Sequence, residues 1–159
     1  MKMKLVKRIT SSLLFACALV SLVTAMALGT SPTARAAADA HCSVGTLKGL
    51  YLWTLDGYQN FGGNPVPKDL IHGLRFNGDG TFTVPFGTVN IGGFVIDASG
   101  GVGTYTVAAD CTGTFQVAGG APSFNMYIGP GAQQLWTIQT VGGPGDGTGL
   151  GVGTATRLP

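Results

Sequence analysis

Two imidazoles, three cysteines and a set of aromatic rings are the side chains of this chain best suited to chemistry. His72 is placed most suggestively. In an extended segment Leu70, His72, Leu74 and Phe76 share one face, while Ile71, Gly73 and Arg75 share the other. A histidine among apolar neighbours is a candidate proton-transfer group if it lines a cavity, because burial moves its pKa. The plainer reading is a core histidine bonded to a backbone carbonyl or a tyrosine. Tyr51, Tyr105, Tyr127, Trp53 and Trp136 could line the same cavity and contact an aromatic guest, or simply fill a core.

His41 lies at a seam, Ala34-Arg35-Ala36-Ala37-Ala38-Asp39-Ala40-His41-Cys42. Before it, Lys2, Lys4, Lys7 and Arg8 precede an apolar run over 9–28, then Pro32 and small residues. That order is a secretory signal, so residues 1–38 are expected to be a signal peptide, with cleavage after Ala36, Ala38 or Ala40. An uncleaved anchor is the alternative, since about 20 apolar residues can span a bilayer. Cleavage after Ala40 would free the amine of His41; with its imidazole and His72 it would form a copper site similar to the histidine brace of lytic polysaccharide monooxygenases. Cleavage after Ala38 would leave Asp39-Ala40-His41, which can wrap Cu(II) or Ni(II) in a square plane. Copper is the alternative to a protein without cofactor.

The remainder, 39–159, is enough for one domain with one core. The whole chain carries a formal charge of +2. Beyond the seam only Lys48, Lys68, Arg75 and Arg157 face seven Asp, which leaves −3. No basic stripe exists for a nucleic acid, and no membrane partner is expected once the signal is removed. The oligomeric state stays open. Cys42 and Cys111 are the only cysteines past the seam. In an exported chain such a pair reads as a disulfide, closing a loop of about 70 residues worth up to about 4 kcal/mol.

No segment past the seam sustains a helical period. Short alternating runs separated by Gly, Asn, Asp and Pro recur instead. Strands are expected over 50–56, 70–76 and 81–86, with a loop over 60–69 and a hairpin turn at Asn77-Gly78-Asp79-Gly80. A strand over 88–97 is interrupted by Gly92 and Gly93, which suggests a bulge or bend. Further strands are expected over 102–107, 112–117, 123–128, 133–141 and 150–157, with a flexible loop over 142–149. The unit Gly80-Thr81-Phe82-Thr83-Val84 returns as Gly103-Thr104-Tyr105-Thr106-Val107 and Gly113-Thr114-Phe115-Gln116-Val117. It points Thr or Gln to water and rings with Val inward. Continuing the alternation turns Phe124, Met126, Ile128, Trp136 and Ile138 inward.

The fold class is therefore all-β: an antiparallel barrel of eight or nine strands, with a flattened sandwich as alternative. An eight-stranded barrel is filled by side chains or holds one small ligand. An outer-membrane barrel would need apolar residues outward, and the Thr-rich face is a poor lipid surface.

Cys42-Ser43, Leu47-Lys48-Gly49, Tyr51, Gly103-Thr104-Tyr105-Thr106-Val107 and Asp110-Cys111-Thr112-Gly113-Thr114 resemble motifs of small exported bacterial proteins. That group is similar to barrels of the allene oxide cyclase and dirigent type. The resemblance spans most of 42–157. It implies a cavity for an apolar small molecule, with cyclase or isomerase chemistry as a further possibility.

The leading expectation is an exported, secreted or periplasmic barrel that binds an apolar or aromatic small molecule through Tyr51, Trp53, Leu74, Phe76, Phe115 and Trp136. A cofactor-free isomerase or cyclase in the same cavity would use His72 and Tyr105 for proton transfer. An envelope protein without a cavity, working through its wet Thr/Gln face, is the remaining class. Ser99 and Ser123 have no triad signature around them. Asp56, Asp97 and Asp110 fall at strand ends, where paired carboxylates for sugar hydrolysis are conceivable. Gly142 to Gly147 lacks the Lys and helix of a phosphate loop.

Overall fold

The computed structural model describes residues 41–119, 122–142 and 149–159. The expected signal peptide with its cleavage sites, and most of the loop expected over 142–149, lie outside the described residues.

Among the described residues nine antiparallel strands follow in order: β1 (Lys48–Phe61), β2 (Asn64–Asn77), β3 (Thr81–Ile91), β4 (Phe94–Asp97), β5 (Gly101–Val107), β6 (Thr112–Val117), β7 (Ser123–Ile128), β8 (Gln134–Val141) and β9 (Gly149–Arg157). Eight of them close on themselves, because β1 pairs with both β2 and β9 and β2 pairs with β3. β4 is an extra strand on the free side of β3, above the segment that pairs with β5. The architecture is a closed barrel, not a sandwich.

Two strands are longer than expected. The stretch 60–69 is not a loop: β1 and β2 run fourteen residues each and join through Gly62 and Gly63. Those two glycines take φ of 57° and 82°, the left-handed pair that a tight hairpin needs. Pro65 and Pro67 are tolerated because β2 pairs with β3 only from Lys68 onward. Pro67 still takes part through its carbonyl, which accepts the Gly92 N–H. At Gly92 and Gly93 the chain does not bulge but turns back into β4. The hairpin expected at 77–80 is present. Asp79 there accepts hydrogen bonds from the Thr81 backbone N–H and hydroxyl.

The two ends of the barrel differ. At one end lie the start of β1 and the ends of β2, β5 and β7. It is closed by 3-10 turns at Val44–Thr46 and Pro130–Ala132. Tyr51 donates to the Ala132 carbonyl at 2.7 Å, and the single Tyr105 O–H is shared between the carbonyls of Val44 and Leu47, at 2.8 and 3.0 Å. The Cys42–Cys111 disulfide ties the segment ahead of β1 to the β5–β6 turn, with Cα atoms 5.0 Å apart. Cys111 holds φ of 66°, a conformation that side chains other than glycine rarely adopt.

From this end inward the rings form a continuous packed column. Phe76 meets Tyr51, Phe82 and Tyr105; Phe115 meets Phe82 and stacks on Phe124 at 4.6 Å; Trp53 meets both Phe115 and Phe124 edge-on. Edge-to-face and offset contacts each add about 1 kcal/mol to the burial of the rings.

Because the disulfide joins residues 69 apart, its removal should cost up to about 4 kcal/mol. The double variant Cys42→Ser, Cys111→Ser should melt about 10 °C or more below the parent when followed by circular dichroism. An unchanged melting temperature would show that the closed end holds without it.

Candidate functional site

The inward stripe of β2 is Lys68, Leu70, His72, Leu74 and Phe76. Leu74 and Phe76 belong to the packed column. The other three face a cavity of about 220 Å³ in the opposite half of the barrel. Trp53 and Phe124 border it together with Leu70, Val84, Val89, Ile91 and Ile96. Among the described residues the polar lining is Gln59, Lys68, His72 and Gln139.

His72 is only 8 % exposed, and neither ring nitrogen has a hydrogen-bond partner among the described residues. The plainer expectation, a core histidine bonded to a carbonyl or a tyrosine, is not what the structure contains. Trp53 meets the ring at 5.6 Å, tilted toward edge-on. Opposite, β3 supplies Gly87, where a β-carbon would stand 2.6 Å from Cδ2 and 3.0 Å from Nε2. Only glycine gives the imidazole that space. Burial pushes the His72 pKa down to about 4, so the ring is neutral at pH 7. A neutral imidazole offers one N–H and one lone pair.

Lys68 is 5 % exposed. Its Nζ donates to Gln139 Oε1 at 2.6 Å, and Gln139 Nε2 donates to the Val141 carbonyl. That second bond sets which end of the amide faces the lysine. Burial alone acts on the Lys68 pKa, and lowers it; no carboxylate among the described residues offsets it. Gln59 Oε1 and Gln139 Nε2 each lie 2.9 Å, and Lys68 Nζ 3.3 Å, from the point where a β-carbon on Gly149 would stand. Three polar side chains thus converge over one glycine.

The remaining candidate residues divide by position. Trp53 lies at the cavity and Phe115 stacks beneath Phe124. Tyr51, Leu74 and Phe76 are buried toward the closed end. Tyr105 is there too: its one O–H is shared between the Val44 and Leu47 carbonyls, and its oxygen accepts from the Gly78 N–H. It does not border the His72 cavity, so the two expected proton-transfer groups are not brought to one site.

Trp136 corrects an expectation. It is 46 % exposed, and Ile138 and Tyr127 face outward with it. Directly opposed residues of paired strands share a face. Phe124 opposes Gln139, Met126 opposes Thr137 and Ile128 opposes Leu135. The inward set of β8 is therefore Leu135, Thr137 and Gln139. Thr137 is needed inside because it accepts the Trp53 indole N–H at 3.0 Å.

His41 is exposed ahead of Cys42, whereas His72 is enclosed by the barrel. Among the described residues no three His, Cys, Asp or Glu side chains gather as a group able to hold a metal. Asp97 and Asp110 serve turns, each accepting from the residue two places on. Those bonds hold both carboxyls below their ordinary pKa. Ser99 accepts the Gly87 N–H, and the unbonded His72 nitrogens complete no serine triad.

Lys68, Gln59 and Gln139 are site residues that the sequence reading missed. Alternation through Leu70, His72 and Leu74, carried two residues back, would have turned Lys68 inward. No protein family, curated protein or solved structure matches this chain.

The folded pKa of His72, about 4, lies below the roughly 6.5 of a free imidazole. As pH falls, the unfolded chain takes up the proton first. The stability tied to His72 is therefore intact above about pH 6.5 and lost toward about pH 4, by about 3 kcal/mol at most. Urea unfolding of His72→Leu at pH 7 should give a stability within about 1 kcal/mol of the parent, since no hydrogen bond is broken. Near pH 4.5 the variant should be the more stable of the two. A large loss at pH 7 would reveal a partner for the imidazole.

Proposed function

We propose that this protein is an exported barrel that binds one small apolar or aromatic molecule in its interior. The observation that carries the reading is the unequal filling of that interior. One half is packed with rings, and the other holds a cavity of about 220 Å³ bordered by Trp53 and Phe124. A dry cavity of about 150 Å³ accepts benzene, and drug-sized guests need about 300 Å³ or more. By that scale the guest has about nine non-hydrogen atoms. Export to a secreted or periplasmic location belongs to the proposal and draws support from the Cys42–Cys111 disulfide. Kinship with barrels of the allene oxide cyclase and dirigent type also belongs to it; a closed antiparallel barrel is the fold that this resemblance implies.

A second reading, a cofactor-free isomerase, is favoured by one feature. His72 is a neutral, unpartnered imidazole at the cavity wall, able to take or give a proton on a bound guest. It would have to act without Tyr105. Loss of turnover with retained binding in His72→Leu would be its signature.

The chain has two tryptophans, and only Trp53 borders the cavity. In Trp136→Phe, emission should come from Trp53 alone and should change when indole or toluene is added. In Trp53→Phe, emission from Trp136 should not respond. A parent protein whose emission is indifferent to every small aromatic probe would remove the binding role.

A further inference from the structure

We propose that the guest is a small aromatic carboxylate, its acid group seated on Lys68 and its ring against Trp53 and Phe124. The inference rests on the binding role above and specifies its ligand class. The cavity is apolar except at two levels. At one, Lys68 brings the only cationic side chain of the lining among the described residues, with Gln59 and Gln139 beside it. An ammonium group has three N–H donors. The structure assigns one of them, to Gln139 Oε1. Gln139 cannot turn to help further, because its amide N–H is held by the Val141 carbonyl.

A cation that is 95 % enclosed pays a desolvation cost that a neutral amide oxygen only partly offsets. A guest carboxylate would answer both the charge and the remaining donors, with charge-assisted hydrogen bonds about twice as strong as neutral ones. A neutral guest would leave the ammonium as it stands. The other level is His72, four residues along β2 and about 13 Å away by strand rise. Between them the paired Leu70 and Val89 line the cavity with apolar side chains. A ring attached directly, or through one carbon, to the acid matches the size set by the cavity.

The test titrates the full protein with benzoate and phenylacetate and with their amides, benzamide and phenylacetamide, by isothermal calorimetry at neutral pH. These pairs differ in charge and hardly in shape. The acids should bind at least tenfold more tightly than the amides. Lys68→Met should erase that preference by weakening the acids while leaving the amides within about twofold, with an unchanged circular dichroism spectrum. The acid-to-amide ratio of the parent protein decides the matter even if the variant does not fold. Amides binding as well as acids would overturn the carboxylate inference and leave the binding role intact. Failure of acids, amides and toluene alike would overturn both.

Discussion

Pairing of β2 with strands on both sides is the constraint on which the rest of this protein depends. Once Lys68–Phe76 is bonded to β1 and to β3, the sheet has no open edge there, and alternate residues of β2 must share one enclosed space. An eight-stranded barrel is just wide enough for side chains to fill. Every ring placed in that space removes room from the others. Tyr51, Phe76, Phe82, Tyr105 and Phe115 take up the half beside the disulfide. Trp53 and Phe124 mark the level where packing stops. Beyond it a cavity remains, lined by Leu70, Val89 and Ile91 among others.

The unfilled half is where the polar groups are enclosed, and they are handled unevenly. Polar groups near the closed end are bonded. Tyr51 and Tyr105 donate to carbonyls, and the Trp53 indole donates to Thr137. Leaving such groups unmatched would cost about 1–3 kcal/mol each. At the cavity, by contrast, both nitrogens of His72 are unmatched among the described residues, and Lys68 donates to a neutral amide oxygen. This uneven treatment of polar groups is what supports placing the proposed guest in that half. The glycines facing these groups agree with that view. Gly87 and Gly149 are the places where the wall is thinned to admit an imidazole and a lysine–glutamine cluster.

Much of this was legible in the alternation of the chain. The repeated Gly-Thr-ring pattern, the turn at 77–80 and the inward set of β2 from Leu70 to Phe76 follow from the pleat alone. The pairing of Cys42 with Cys111 follows separately, from their being the two cysteines past the expected signal segment. Local pattern failed where two principles compete. Pro65 and Pro67 read as loop markers, yet at an overhanging strand edge a missing N–H does no harm. That hid Lys68 and Gln59. Trp136 and Ile138 read as inward because they are apolar, but register with β7 decides the face. That hid Gln139.

What the sequence alone determined is the class of the fold, its disulfide and the placing of His72 on an apolar face. Periodicity and composition are local properties, and those conclusions need nothing else. Whether the strands close into a barrel, which parity β8 adopts and whether the interior fills or stays partly open were settled only by tertiary structure. Each depends on partners distant in the chain: β1 on β9, Gln139 on Lys68, and the free volume on every inward ring at once.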